Sequence, residues 1–121
     1  MVDAIITKLK TGSVTDVYAK GDNFKDAKPP YIVVADAGNV GVGNLNQEQY
    51  FVTAHFARGF WFELSEYIDE ARGLLSGFDL TDATGVTAIL ESSGAVGPLV
   101  DTNDDDTISK EVTFVAPGMV L

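Results

Sequence analysis

Cysteine is absent from this chain, which removes disulfides, thiolate metal sites and cysteine nucleophiles together. Histidine occurs once, at His55, so no multi-histidine metal centre can form. Basic residues are scarce: eight stand against eighteen acids, for a net charge of −10, and no basic cluster exceeds Lys8/Lys10 or Lys25/Lys28. Such a surface repels phosphate backbones, so direct nucleic-acid binding is not expected. No apolar run approaches the roughly 18–20 residues that a membrane helix needs, so no membrane partner is expected either. The N-terminus has no signal-peptide layout, and the expectation is a cytosolic product or one released to its destination without a classical signal.

The chain has 121 residues. That length makes one domain, 1–121, able to bury roughly two-thirds of its unfolded surface without covalent staples. Its clearest local signal lies between Tyr50 and Leu75, where the apolar period changes across Gly59. Val52, Ala54 and Phe56 alternate with Phe51, Thr53 and His55, as in a half-buried strand. Beyond Gly59, Trp61, Leu64, Tyr67, Ile68, Ala71, Leu74 and Leu75 form the stripe of an amphipathic helix. Glu63, Glu66, Asp69, Glu70 and Arg72 occupy its other face, where solvation explains the carboxylates better than a catalytic constellation does.

A shorter helix is expected over Val2–Lys10, with Asp3 and Lys8/Lys10 placed to suit its dipole and Gly12 as a C′ stop. Val14–Tyr18 reads as a brief strand. Pro29-Pro30 leads into the β-branched run Tyr31–Ala35, and further strands are expected over Tyr50–Arg58, Val86–Glu91 and Ile108–Ala116. Lys110 falls on the apolar face of the last strand, where its stem can snorkel. The expected fold is α+β: a two-layer, mainly antiparallel sheet with both helices packed on one face. Asp36–Glu48 and Ser92–Asp106 read as long loops.

Chemistry-bearing motifs are sparse. Gly38-Asn39-Val40-Gly41-Val42-Gly43 fits neither the dinucleotide fingerprint nor the P-loop, so a hairpin loop is the better reading. Asp101-Thr102-Asn103-Asp104-Asp105-Asp106 begins like a calcium loop. It lacks glycine at the sixth position, and Val112 stands where a bidentate glutamate is required. His55 has no Ser, Cys or second His in a recognisable arrangement. No catalytic residue, cofactor or metal is therefore expected. Tyr50, Phe51, Phe56, Phe60, Trp61 and Phe62 put six aromatics into thirteen residues, more than one small core needs. Some of them are expected to reach a partner.

The order of elements resembles the tail terminator, or tail-completion, proteins of long-tailed bacteriophages. The resemblance rests on the helix ending near Leu9, the segment Val17-Tyr18, Pro30-Tyr31-Ile32-Val33-Val34, the strand Phe51–Arg58, the helix Leu64–Leu75 and the closing strand Ile108–Ala116. The Gly/Asn segment and the Ser92–Asp106 stretch fall outside the common pattern. The resemblance implies a non-enzymatic virion protein, assembled in the host cytoplasm. It implies a self-associating ring, a hexamer, that caps the tail tube protein and meets the head-completion or neck proteins. Asn39, Val40, Val42, Asn44, Tyr50, Phe51, Phe60 and Phe62 are then the interface candidates. Asp101, Asp104, Asp105 and Asp106 are candidates for an acidic lumen that would repel DNA. Other readings are a different head–tail connector or minor tail protein, or a small α+β enzyme or ligand-binding domain using His55 with acidic partners.

Overall fold

The computed structural model describes residues 2–21, 27–42, 45–80, 89–100 and 107–119, with backbone placement alone for 37–42, 45–48, 92–100 and 117–119. The elements are α1 (Val2–Leu9), β1 (Val17–Ala19), β2 (Tyr31–Val42), β3 (Leu45–Ala57), α2 (Trp61–Leu75), β4 (Glu91–Val100) and β5 (Thr107–Met119). The strands form one sheet in the order β1-β2-β3-β5-β4. β1 runs parallel to β2; every other neighbouring pair is antiparallel. This is the α+β architecture that the periodicity implied.

Strand alternation decides what the helices cover. Ile32 and Val34 of β2, Tyr50, Val52, Ala54 and Phe56 of β3, and Ile108, Val112, Phe114 and Ala116 of β5 are buried on one face. The register sets Tyr50 opposite Phe114, Val52 opposite Val112, and Phe56 opposite Ile108. Ile5 and Leu9 of α1 close the layer from above, together with Leu64, Tyr67, Ile68, Ala71 and Leu75 of α2. Lys110 stands across from Ala54, half-buried, where the small partner leaves room for its stem.

Two glycines matter for this packing. Gly59 turns β3 into α2 with φ +95°, a left-handed conformation that side chains with a Cβ rarely adopt. Gly12 has no positive φ and is therefore not a left-handed helix stop. It is the place where the chain after α1 passes close to α2: a Cβ there would meet Leu74 Cδ1 at 2.9 Å and the Leu9 carbonyl oxygen at 3.3 Å.

Three expectations about extent are corrected. The described part of 36–48 is strand, because β2 continues to Val42 and β3 begins at Leu45, the two pairing antiparallel with bulges at Asp36/Gly38 and Asn46/Glu48. Ser92–Val100, read as turn, is most of β4, pairing with β5 through bulges at Ser92/Gly94 and Val96/Leu99. Pro98 falls within the second bulge of an outer strand, a position that requires no ladder N–H. The strand expected over Val86–Glu91 is reduced in the described residues to an Asp79–Ile89 bridge and the start of β4 at Glu91, while 81–88 lie outside them. Trp61, placed on the buried stripe by its spacing, is 40% exposed, because α2 begins where the chain has only just left the sheet.

Candidate functional site

The sheet face away from the helices carries Tyr31, Val33, Ala35, Phe51, Thr53, His55 and Glu111, and no described element covers it. Tyr31 and His55 are cross-strand partners, and their rings stack at 4.6 Å between centroids with planes 13° apart. Tyr18 meets the Tyr31 ring edge-on at 6.4 Å. A shallow depression of about 370 Å³ lies among Lys20, Tyr31, Val33, Phe51, His55 and Glu111. Ser109 stands opposite His55 across the β3–β5 pair, with Glu111 two residues along on the same face. Acyl transfer would also need backbone N–H groups aimed at a developing oxyanion. In the middle of a sheet those donors are committed to the ladder.

The two edges of the sheet differ. β1 pairs with β2 only over Ile32–Val34, so among the described residues no strand lies beside the outer edge of 37–42. At the other end, among the described residues, β4 is bordered by β5 alone. Unpaired strand edges present rows of N–H and C=O groups to any extended segment that approaches. Near the first turn of α2, Phe60 is 50% exposed and Phe62 71% exposed.

α2 also walls a cleft of about 570 Å³ with Ser13, Phe56, Glu63, Glu66, Tyr67 and Glu70 among its lining. Glu70 is held in place from the α1 side: the Ser13 N–H donates to Oε1 at 3.0 Å and the Ser13 hydroxyl to Oε2 at 2.5 Å. Tyr67 is only 2% exposed, and its ring tilts against Phe56 at 6.0 Å. Its buried hydroxyl has no hydrogen-bond partner among the described residues. Such an orphan costs about 1–3 kcal/mol in desolvation. Burial, reinforced by the Glu70 carboxylate, pushes the phenol well above its ordinary pKa.

The interface candidates separate in the structure. Tyr50 is fully buried opposite Phe114 and cannot reach a partner while the subunit is folded. Phe51, one residue on, points to the uncovered face and is half-buried. Phe60 and Phe62 project into solvent. Asn39, Val40 and Val42 lie on the backbone of β2, and Asn44 lies outside the described residues. Asp101, Asp104, Asp105 and Asp106, with the calcium-like segment they belong to, also lie outside them.

Compared with known proteins, the chain matches no family model and no curated protein sequence. Among the described residues, no helix is long and apolar enough to cross a membrane, and no group of three or more His, Asp or Glu side chains could hold a metal ion. The acidic cleft escaped sequence reasoning. Glu63, Glu66 and Glu70 were visible as a helix face, but neither Ser13 nor Phe56 is near them in the chain.

Proposed function

We propose that this chain is a ring-forming structural protein of a long-tailed phage virion, a tail terminator that caps the tail tube and joins it to the head-completion or neck proteins. The reading starts from the sequence resemblance. The observation that carries it furthest is the pair of unlike sheet edges. A ring closes through head-to-tail contacts, which need two different, complementary surfaces on each subunit. In support of it, among the described residues the outer edge of β2 beyond Val34 and the outer edge of β4 lie at opposite ends of one sheet, two different surfaces on one subunit. The half-apolar face around Phe51 and the exposed Phe60 and Phe62 offer further contact area for neighbours in the virion.

On this reading the protein performs no catalysis, and His55 is a stacking partner of Tyr31. Part of the acidic excess, with Asp101, Asp104, Asp105 and Asp106 as candidates, lines the channel and keeps DNA from adhering. Negative-stain imaging with mass photometry tests the proposal. Closed sixfold rings support it; a monomer or dimer at all accessible concentrations overturns it. A different head–tail connector or minor tail protein is the second reading, favoured if rings of another subunit number form.

A further inference from the structure

We propose that the apolar recess where β3 gives way to α2 is a docking site for an apolar side chain of a basic partner protein, whose lysines or arginines beside that side chain meet the glutamates of α2. The recess has a volume of about 230 Å³ and is walled by Pro29, Pro30, Phe56, Ala57, Phe60 and Glu63. All but Glu63 are apolar. A dry cavity of about 150 Å³ already holds a benzene ring, so this space takes one branched or aromatic side chain. The local chain explains why it stays open. Gly59, at φ +95°, turns the backbone out of the sheet, and α2 begins only after Phe60. Phe60 is left 50% exposed, and Phe62, in the first turn of the helix, 71%. Pro29 and Pro30, ahead of β2, add two ring walls that bring no N–H in need of a partner.

Charge decides the occupant. Glu63 belongs both to the recess and to the neighbouring cleft, where Glu66 and Glu70 continue along the same helix face. Glu63 and Glu66 have no ion-pair partner among the described residues, and Arg72 of the same helix pairs with Asp69. A partner that seats an apolar side chain here is therefore favoured by cations beside it and disfavoured by acids. The recess supplies the contact and the glutamates the selectivity. A second copy is the wrong occupant: its net charge is −10, and its own exposed Phe60-Trp61-Phe62 segment is followed at once by Glu63. A bilayer is a poor match as well, since Glu63 stands in the recess wall and a carboxylate carried toward acyl chains is costly.

The inference goes beyond the ring reading and does not need it, because peptide binding and ring closure are measured separately and either can fail alone. In the test, the full-length protein is titrated with a blocked Gly/Ser peptide carrying one leucine beside two lysines. Matched peptides replace the leucine by serine, or the lysines by glutamines or glutamates. Trp61, the single tryptophan, reports through its emission, and NMR follows the amides of Ala57, Gly59 and Phe60. The leucine–lysine peptide should saturate with Kd of about 1–10 mM, and the glutamine peptide should bind about fivefold more weakly. The serine and glutamate peptides should not saturate by about 50 mM. Glu63→Gln/Glu66→Gln should abolish the lysine advantage and leave the glutamine peptide unchanged. Phe60→Ser should weaken the leucine–lysine peptide about fivefold or more. It should keep the helix, read by circular dichroism, because serine is a favoured residue at that N-cap. Equal binding of the serine or glutamate peptide, indifference to Phe60→Ser, or no saturation by any peptide would each overturn the proposal. So would loss of self-association in Phe60→Ser, which assigns the face to a second copy, or partition of the protein into phosphatidylcholine vesicles.

Discussion

The two faces of the sheet are made by alternate residues of the same strands, yet they do different work. On the helix side, Val52 and Phe56 meet Leu64, Tyr67, Ile68 and their neighbours and lose contact with water. On the other side, Phe51, Thr53 and His55 stay half-exposed with nothing described above them. A shift of one residue along β3 thus separates the part of the molecule that holds it folded from the part free to meet something else. The lesson is that aromatic content alone did not identify the contact surface. Tyr50 and Phe51 are adjacent and similar in size, and only strand direction assigns them opposite roles.

The sharpest test of this contrast removes volume from the covered layer. Leu64→Ala should cost about 2–5 kcal/mol, read from the denaturant midpoint, because the side chain is fully enclosed and its site cannot collapse freely. A loss below about 1 kcal/mol would mean the two faces are not energetically distinct.

The next effect depends on pH and belongs to the same layer. Tyr67 keeps its proton in the folded state at pH values where the unfolded chain has lost it. Its contribution is intact below its ordinary pKa of 10.0 and falls as pH rises past it. The slope is at most about 1.4 kcal/mol per pH unit. Tyr67→Phe should flatten the alkaline loss of stability while leaving stability at neutral pH equal or slightly higher, since it also removes a hydroxyl with no partner among the described residues. Identical alkaline profiles for the two proteins would mean that Tyr67 ionises normally.

On the uncovered face the balance reverses. Phe51→Asp should cost the isolated subunit only about 1 kcal/mol, a strand-propensity and partial-burial effect. Assembly should weaken by about tenfold or more, because a charge then sits in an apolar contact. Circular dichroism reads the first and mass photometry the second. If the fold is lost instead, the face is part of the core and the contrast fails. The smallest stability change is expected for Phe62→Ser, within about 0.5 kcal/mol, since the side chain is 71% exposed. Any larger effect should appear only in partner binding.

Much of this was readable before the structure. The helix over Trp61–Leu75 and the closing strand, read as Ile108–Ala116 and found as Thr107–Met119, were announced by long, regular periods with few competing signals. The extension of β2 and β3 was not. Gly38, Gly41 and Gly43 break the alternation and mimic a loop, and the segment becomes strand because β3 is flanked there by β2 on one side and β5 on the other. β4 was hidden in the same way by Gly94, Gly97 and Pro98, whose cost a bulged outer strand can absorb. The acidic cleft was half-visible: spacing along one helix put three glutamates together, while Ser13 and Phe56 came from distant parts of the chain.

By itself, then, the sequence determined the class of fold, the covering helices, the alternation within β3 and β5, and the absence of cysteine chemistry and of any cluster of histidines. These follow from local periodicity and composition, which act over a few residues and need no knowledge of neighbours. Only the tertiary structure decided which strands are neighbours, which alternate face is left open, that Tyr50 is enclosed while Phe51 is not, and that the Tyr67 hydroxyl ends without a partner among the described residues. Those outcomes depend on contacts between residues far apart in sequence, whose pairing is set by the total burial and hydrogen bonding of the whole sheet and by no segment alone.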